Sequence, residues 1–78
     1  MENVDLELIK SIIKTKRELD IANKNFESAE EELIDYYSYQ IKADKARLSF
    51  LIKEAKKQGY SIDMLHELKA QAMYEEVI

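Results

Sequence analysis

Apolar residues in this chain fall into two runs of 4-3 spacing that mirror each other about residues 27–29. In the first run Leu8, Ile12, Leu19, Ala22 and Phe26 keep a heptad rhythm, with Thr15 as its polar member. In the second, Ile34, Tyr37, Ile41, Leu48, Leu51 and Ala55 do the same, with Asp44 as the polar member. A rhythm of this kind puts one stripe on each of two α-helices and suits packing along a shared seam. If the chain folds back at 27–29, facing residues have numbers that sum to about 60, as antiparallel helices require. Phe26 then meets Ile34, Ala22 meets Tyr37, Leu19 meets Ile41, Ile12 meets Leu48, and Leu8 meets Leu51. Thr15 lands opposite Asp44, a polar layer of the sort that fixes register at some cost in stability. The alternative is that Asp44 turns outward toward Arg47 or Lys16.

Turn punctuation is nearly absent: the 78 residues include no Pro and one Gly, which argues against a sheet built on many tight turns. Two local signals divide the chain. Ser28-Ala29-Glu30-Glu31 fits a capping box, in which Ser28 and Glu31 satisfy each other's backbone N–H groups. Glu30, Glu31 and Glu32 would complement the positive end of the helix dipole. Gly59 follows Lys53, Lys56 and Lys57 and is placed for a left-handed helix stop. The spacing therefore predicts a helix over about 4–27, starting near Asn3 or Asp5, and a second over about 29–58. A third, over about 62–76, is capped by Ser61 or Asp63 and carries Ile62, Leu65, Leu68 and Ala72 on one stripe. Acidic Glu2, Asp5 and Glu7 would lie beside Lys53, Lys56 and Lys57 at the open end. The expected fold is a single all-α domain over 1–78, an antiparallel helical hairpin with a short third helix, coiled-coil-like and self-associating into a bundle.

The most specific stretch is Glu32-Leu33-Ile34-Asp35-Tyr36-Tyr37, followed by Tyr39, Ile41-Lys42-Ala43, Arg47, Leu51 and Glu54-Ala55-Lys56-Lys57, after the hinge triplet Asn25-Phe26-Glu27. Over about residues 6–60 the chain resembles the YaaL-like family of small helical proteins of unknown function from spore-forming and related Gram-positive bacteria. It departs from that family at Ala29-Glu30-Glu31, where Pro or Asp-Pro is common, and in the tail 61–78. The resemblance implies a bacterial cytoplasmic protein and supplies no activity.

A second stripe on the middle helix holds the main functional signal. Tyr36, Tyr39, Ala43, Ala46 and Phe50 follow 3-4-3-4 spacing on the side away from the seam. One partner helix cannot cover two apolar faces. Counted back from Gly59, Leu68 would reach Phe50 and Ala72 would reach Ala46 or Arg47, leaving Tyr36 and Tyr39 uncovered. Small alanines admit a close backbone, and flanking aromatics serve as interface anchors. A small core without disulfides or metals also favours oligomerisation. A weaker stripe at Leu6, Ile9 and Ile13 widens the apolar arc of the first helix.

Other chemistries find little support. Lys14, Lys16, Arg17, Lys42, Lys45 and Arg47 form a candidate basic patch along the shaft, with Lys10 and Lys24 nearby, although an ordinary solvated surface explains such charges as well. The net charge of −4 disfavours nucleic acid. His66, with Asp63 and Glu67 nearby, lacks the several inward carboxylates of a helical metal site. No Cys is present, and neither a phosphate loop nor a nucleophile with its base can be found. The N-terminal ten residues lack the features of a signal peptide, and no apolar run approaches the length of a membrane span. The reading is a non-catalytic, cofactor-free interaction module of the cytoplasm, a small adaptor or regulator. Its partners are itself, an unidentified protein, or both, with no membrane. A nucleic-acid accessory factor and a purely structural homo-oligomer are the alternatives.

Overall fold

The computed structural model describes residues 5–61 and 63–67. The protein is an all-α helical hairpin followed by a third helix. Helix α1 spans Leu6–Glu27 and α2 spans Glu31–Lys57. Helix α3 follows Ser61, and its described part is residues 63–67. The remainder of the expected third helix, with Leu68 and Ala72, lies outside the described residues, as does Glu2.

Asp5 starts α1. Its Oδ1 accepts a hydrogen bond from the Leu8 N–H at 3.0 Å, satisfying one of the free donors of the first turn. The same residue ties the open end of the hairpin. Its backbone N–H donates to the Tyr60 hydroxyl oxygen at 3.1 Å, and its Oδ2 accepts from Gln58 Nε2 at 3.3 Å. The expected ion pairing of Asp5 with the lysines is thus replaced by uncharged partners, while Lys57 pairs with Glu54 on its own helix.

The hinge corrects the capping-box expectation. Ser28 closes α1 instead of opening α2. Its φ and ψ of −106° and 7° are not the extended geometry of an N-cap, and its hydroxyl donates back to the Lys24 carbonyl at 3.3 Å. Glu30 takes the N-cap position with extended φ and ψ of −72° and 156° and makes no side-chain capping bond. Helix α2 accordingly begins at Glu31, two residues later than expected. Glu31 and Glu32 in its first turn still favour that end through the dipole.

The far end of α2 follows the expected stop. Gly59 has φ +96°, in the region that side chains with a Cβ resist. The Gly59 N–H bonds to the Lys56 carbonyl at 3.0 Å and the Tyr60 N–H to the Ala55 carbonyl at 3.1 Å, the paired bonds of a Schellman motif. Ala55 and Tyr60 also belong to the same apolar cluster, the contact that usually accompanies this motif. Ser61 then caps α3, its Oγ accepting from the Met64 N–H at 3.1 Å.

The core lies at the open end, where three helices meet. Ile9, Ile12, Ala55, Tyr60 and Leu65 are buried together, with Leu8, Ile13, Leu48, Leu51, Ile52 and Met64 packed around them. Leu8 and Ile12 thus join Leu48 and Leu51, the residues that the spacing sets opposite each other. The extra stripe of α1 resolves here, because Ile9 and Ile13 enter the cluster that holds Met64 and Leu65 of α3. Farther along the seam, Leu19 and Ala22 are buried, but Phe26 and Ile34 remain 40% and 39% exposed. Among the described residues that end holds only α1 and α2, and two helices cannot enclose the last pair of a seam.

The polar layer sits in the seam. Thr15 is completely enclosed, and Asp44 is half-buried with its Oδ2 inside. Neither Thr15 Oγ1 nor Asp44 Oδ2 has a hydrogen-bond partner among the described residues. Lys16, offered above as an outward partner for Asp44, pairs with Asp20 at 3.1 Å.

Candidate interaction surface

Helix α2 presents two apolar faces, and the hairpin uses one. Tyr37, Ile41, Asp44, Leu48, Leu51 and Ala55 turn toward α1 and are half-buried or buried. At 100° per residue, Tyr36, Tyr39, Ala43, Ala46 and Phe50 point roughly 150° away from that direction. All five are exposed, and the three aromatic rings are open to 60%, 68% and 60% for Tyr36, Tyr39 and Phe50. The ring of Tyr36 meets that of Tyr37 edge-on, with centroids 5.1 Å apart. This contact fixes the first ring of the outer stripe against a residue of the seam.

The contrast between the helices is large. Among the described residues α1 buries Ile9, Ile12, Thr15, Leu19 and Ala22, whereas α2 buries Ala55 alone. The smaller share of α2 in the core follows from its sequence, which divides its bulky residues between two sides. Leu33, 46% exposed beside Ile34, and Ile21, 50% exposed on α1, add apolar surface near the hinge that lies off the heptad seam. Adjacent Leu33 and Ile34 point about 100° apart, so only one of them can sit on the seam.

The basic residues do not converge. Lys14 pairs with Glu18 at 4.0 Å and Lys16 with Asp20 at 3.1 Å, both one turn on along α1, and Arg17 is likewise engaged in a contact. Lys42, Lys45 and Arg47 are exposed on α2, but Arg47 points roughly 140–160° away from the two lysines. Paired acids and divergent directions weaken any continuous positive field. His66, Asp63 and Glu67 are exposed at the start of α3, and no group of three potential metal ligands gathers among the described residues. No helix among them is long and apolar enough to cross a membrane.

These features define a class: a small helical hairpin, closed by a third helix, whose longer helix displays an aromatic face. The chain belongs to the DUF2508 family, described as proteins of unknown function, whose profile matches residues 1–62. The match takes in both long helices, the hinge and the Schellman stop. No curated protein and no solved structure gives a significant match to the chain.

Proposed function

We propose that this protein is a non-catalytic helical interaction module, a small adaptor or regulator, working through the outer face of α2. The observation that carries the reading is the row of exposed Tyr36, Tyr39 and Phe50 flanking exposed alanines on the side away from the hairpin seam. Contiguous apolar patches of this kind are uncommon on monomers unless they are used. Alanines between aromatic anchors suit one occupant in particular, a helix of another protein molecule laid along α2. The ion pairs of Lys14 and Lys16 weigh against the nucleic-acid alternative. The setting we assign is the bacterial cytoplasm, on the resemblance to YaaL-like proteins.

The test compares the parent with Tyr36→Glu and Tyr39→Glu variants, each verified as helical by circular dichroism. All three are used to capture partners from native host lysate at about 0.1 M and 0.5 M salt. A protein held by the parent at both salts, lost by both variants, and bound again when purified supports the module. Apolar packing survives added salt whereas phosphate contacts weaken steeply. Nucleic acid retained only at low salt, or identical capture by parent and variants, overturns it.

A further inference from the structure

Resting on that reading of the outer face, we infer that its first occupant is a second copy of this chain, docked antiparallel across a two-fold axis beside Ala43. The order of charges along α2 favours this arrangement. Glu31, Glu32 and Asp35 stand at its N-terminal end, and Lys53, Lys56 and Lys57 at its C-terminal end, all six exposed. Glu54 interrupts the basic end and is already paired with Lys57 at 3.2 Å. A second α2 laid parallel sets acid on acid and base on base. Laid antiparallel, each acidic end meets the partner's basic end, which favours that orientation and disfavours the other.

The aromatic stripe has the same mirror symmetry. Tyr36 and Phe50 lie equally far from Ala43 along the chain, so a two-fold axis there sets Tyr36 against the partner's Phe50. Tyr39 then meets the partner's Ala46, a large residue over a small one. Ala43 faces its own copy, where a methyl group lets the two backbones approach. Asp35 and Lys53 flank the stripe on the same side, and the axis brings Asp35 opposite the partner's Lys53. Lys42 falls near the axis, and its long stem lets both ammonium groups swing into water.

The area is sufficient for a stable contact. Six rings, each of about 150–250 Å² and roughly two-thirds open, contribute on the order of 700 Å². Alanines and flanking stems bring the total toward the roughly 1,200 Å² at the lower end of specific interfaces. A self-complementary patch of this kind closes as a dimer and leaves no free copy of itself to propagate.

The experiment is sedimentation equilibrium of the purified full chain across about 1–500 μM, with circular dichroism on every variant. The parent should distribute between monomer and dimer. Asp35→Lys and Lys53→Asp should each weaken the dimer about tenfold, since each converts two attractive contacts into repulsive ones. Both changes in one chain should restore the parent constant within about twofold. Tyr39→Glu should abolish the dimer with helical signal retained. Single reversals that leave association unchanged or strengthen it overturn the antiparallel arrangement, because in a parallel pair each reversal places one opposite charge within an end of like charges. A parent that stays monomeric to 500 μM overturns the second copy as occupant. The lysate experiment then judges the module reading on its own, so the two failures are distinguishable.

Discussion

Replacing Thr15 by Val exchanges one buried hydroxyl for a methyl group of nearly the same size. Thr15 is fully enclosed and its Oγ1 has no hydrogen-bond partner among the described residues. A buried hydroxyl left without a partner costs about 1–3 kcal/mol. A methyl in its place gains up to about 0.8 kcal/mol of apolar burial, and Val and Thr have similar helix propensities. The expected outcome is stabilisation by about 1–3 kcal/mol. In a chain of this size that raises Tm by roughly 4–24 °C. Thr15→Ser supplies the control, because it keeps the hydroxyl and loses the methyl, and should destabilise by about 1 kcal/mol.

Urea unfolding followed by helical circular dichroism measures these differences. Protein concentration is held fixed throughout, because self-association adds stability by mass action. Loss of stability in Thr15→Val would refute the reasoning, since the hydroxyl would then make a net-favourable bond in solution. Asp44 is the natural acceptor for such a bond, its Oδ2 being buried and likewise without a partner. A double-mutant cycle with Asp44→Asn decides that point, and coupling beyond about 0.5 kcal/mol would identify the pair.

Three further outcomes follow from the ends of the helices. Gly59→Ala should cost about 1–2 kcal/mol by thermal unfolding, a purely conformational effect because an added Cβ meets nothing within 4 Å. Tyr60→Phe should cost about 0.5–1.5 kcal/mol and speed amide hydrogen exchange at Asp5, whose N–H loses its acceptor while the buried ring stays. Ser28→Ala should leave stability within about 0.5 kcal/mol of the parent in urea, since the exposed hydroxyl makes only a back-bond to Lys24. A loss above about 1 kcal/mol would reinstate Ser28 as the N-cap of α2.

The hairpin was legible in the sequence because one period, repeated on both sides of a hinge, admits few arrangements. Gly59 was legible because only one residue type takes a positive φ without penalty. The hinge was not, because Ser is equally able to accept from the following turn or donate to the preceding one. The backbone at Ser28 selects the second bond, and a spacing pattern carries no information on that choice. Nor was Tyr60 legible in its role, for another reason. It follows the helix stop and belongs to neither stripe, yet its ring fills the core and its hydroxyl holds the start of α1, 55 positions away in the chain. The outer stripe was legible as a pattern, since its residues repeat at helical spacing. Its occupant was not, because periodicity gives the direction of a face and says nothing of what lies against it.

That stripe and the seam place opposite demands on α2. Residues that strengthen one face leave the other unchanged, because they point in different directions. Helix α1 puts five residues into the interior, of which Thr15, Leu19 and Ala22 lie along the shaft where α2 turns Tyr37, Ile41 and Asp44 toward it, while Leu48, Leu51, Ile52 and Ala55 join the core at the open end. Toward the hinge the outward side of the same helix continues through Tyr39, Tyr36 and Leu33, all of them exposed. An apolar residue exposed on a helix contributes little to its own fold, and three aromatic rings in one row contribute less than three charged residues would to solubility. The open end of the hairpin is where all three helices share one core. The long shaft beyond it holds an ordered surface in place, so α2 itself has little conformational entropy left to lose when a partner docks.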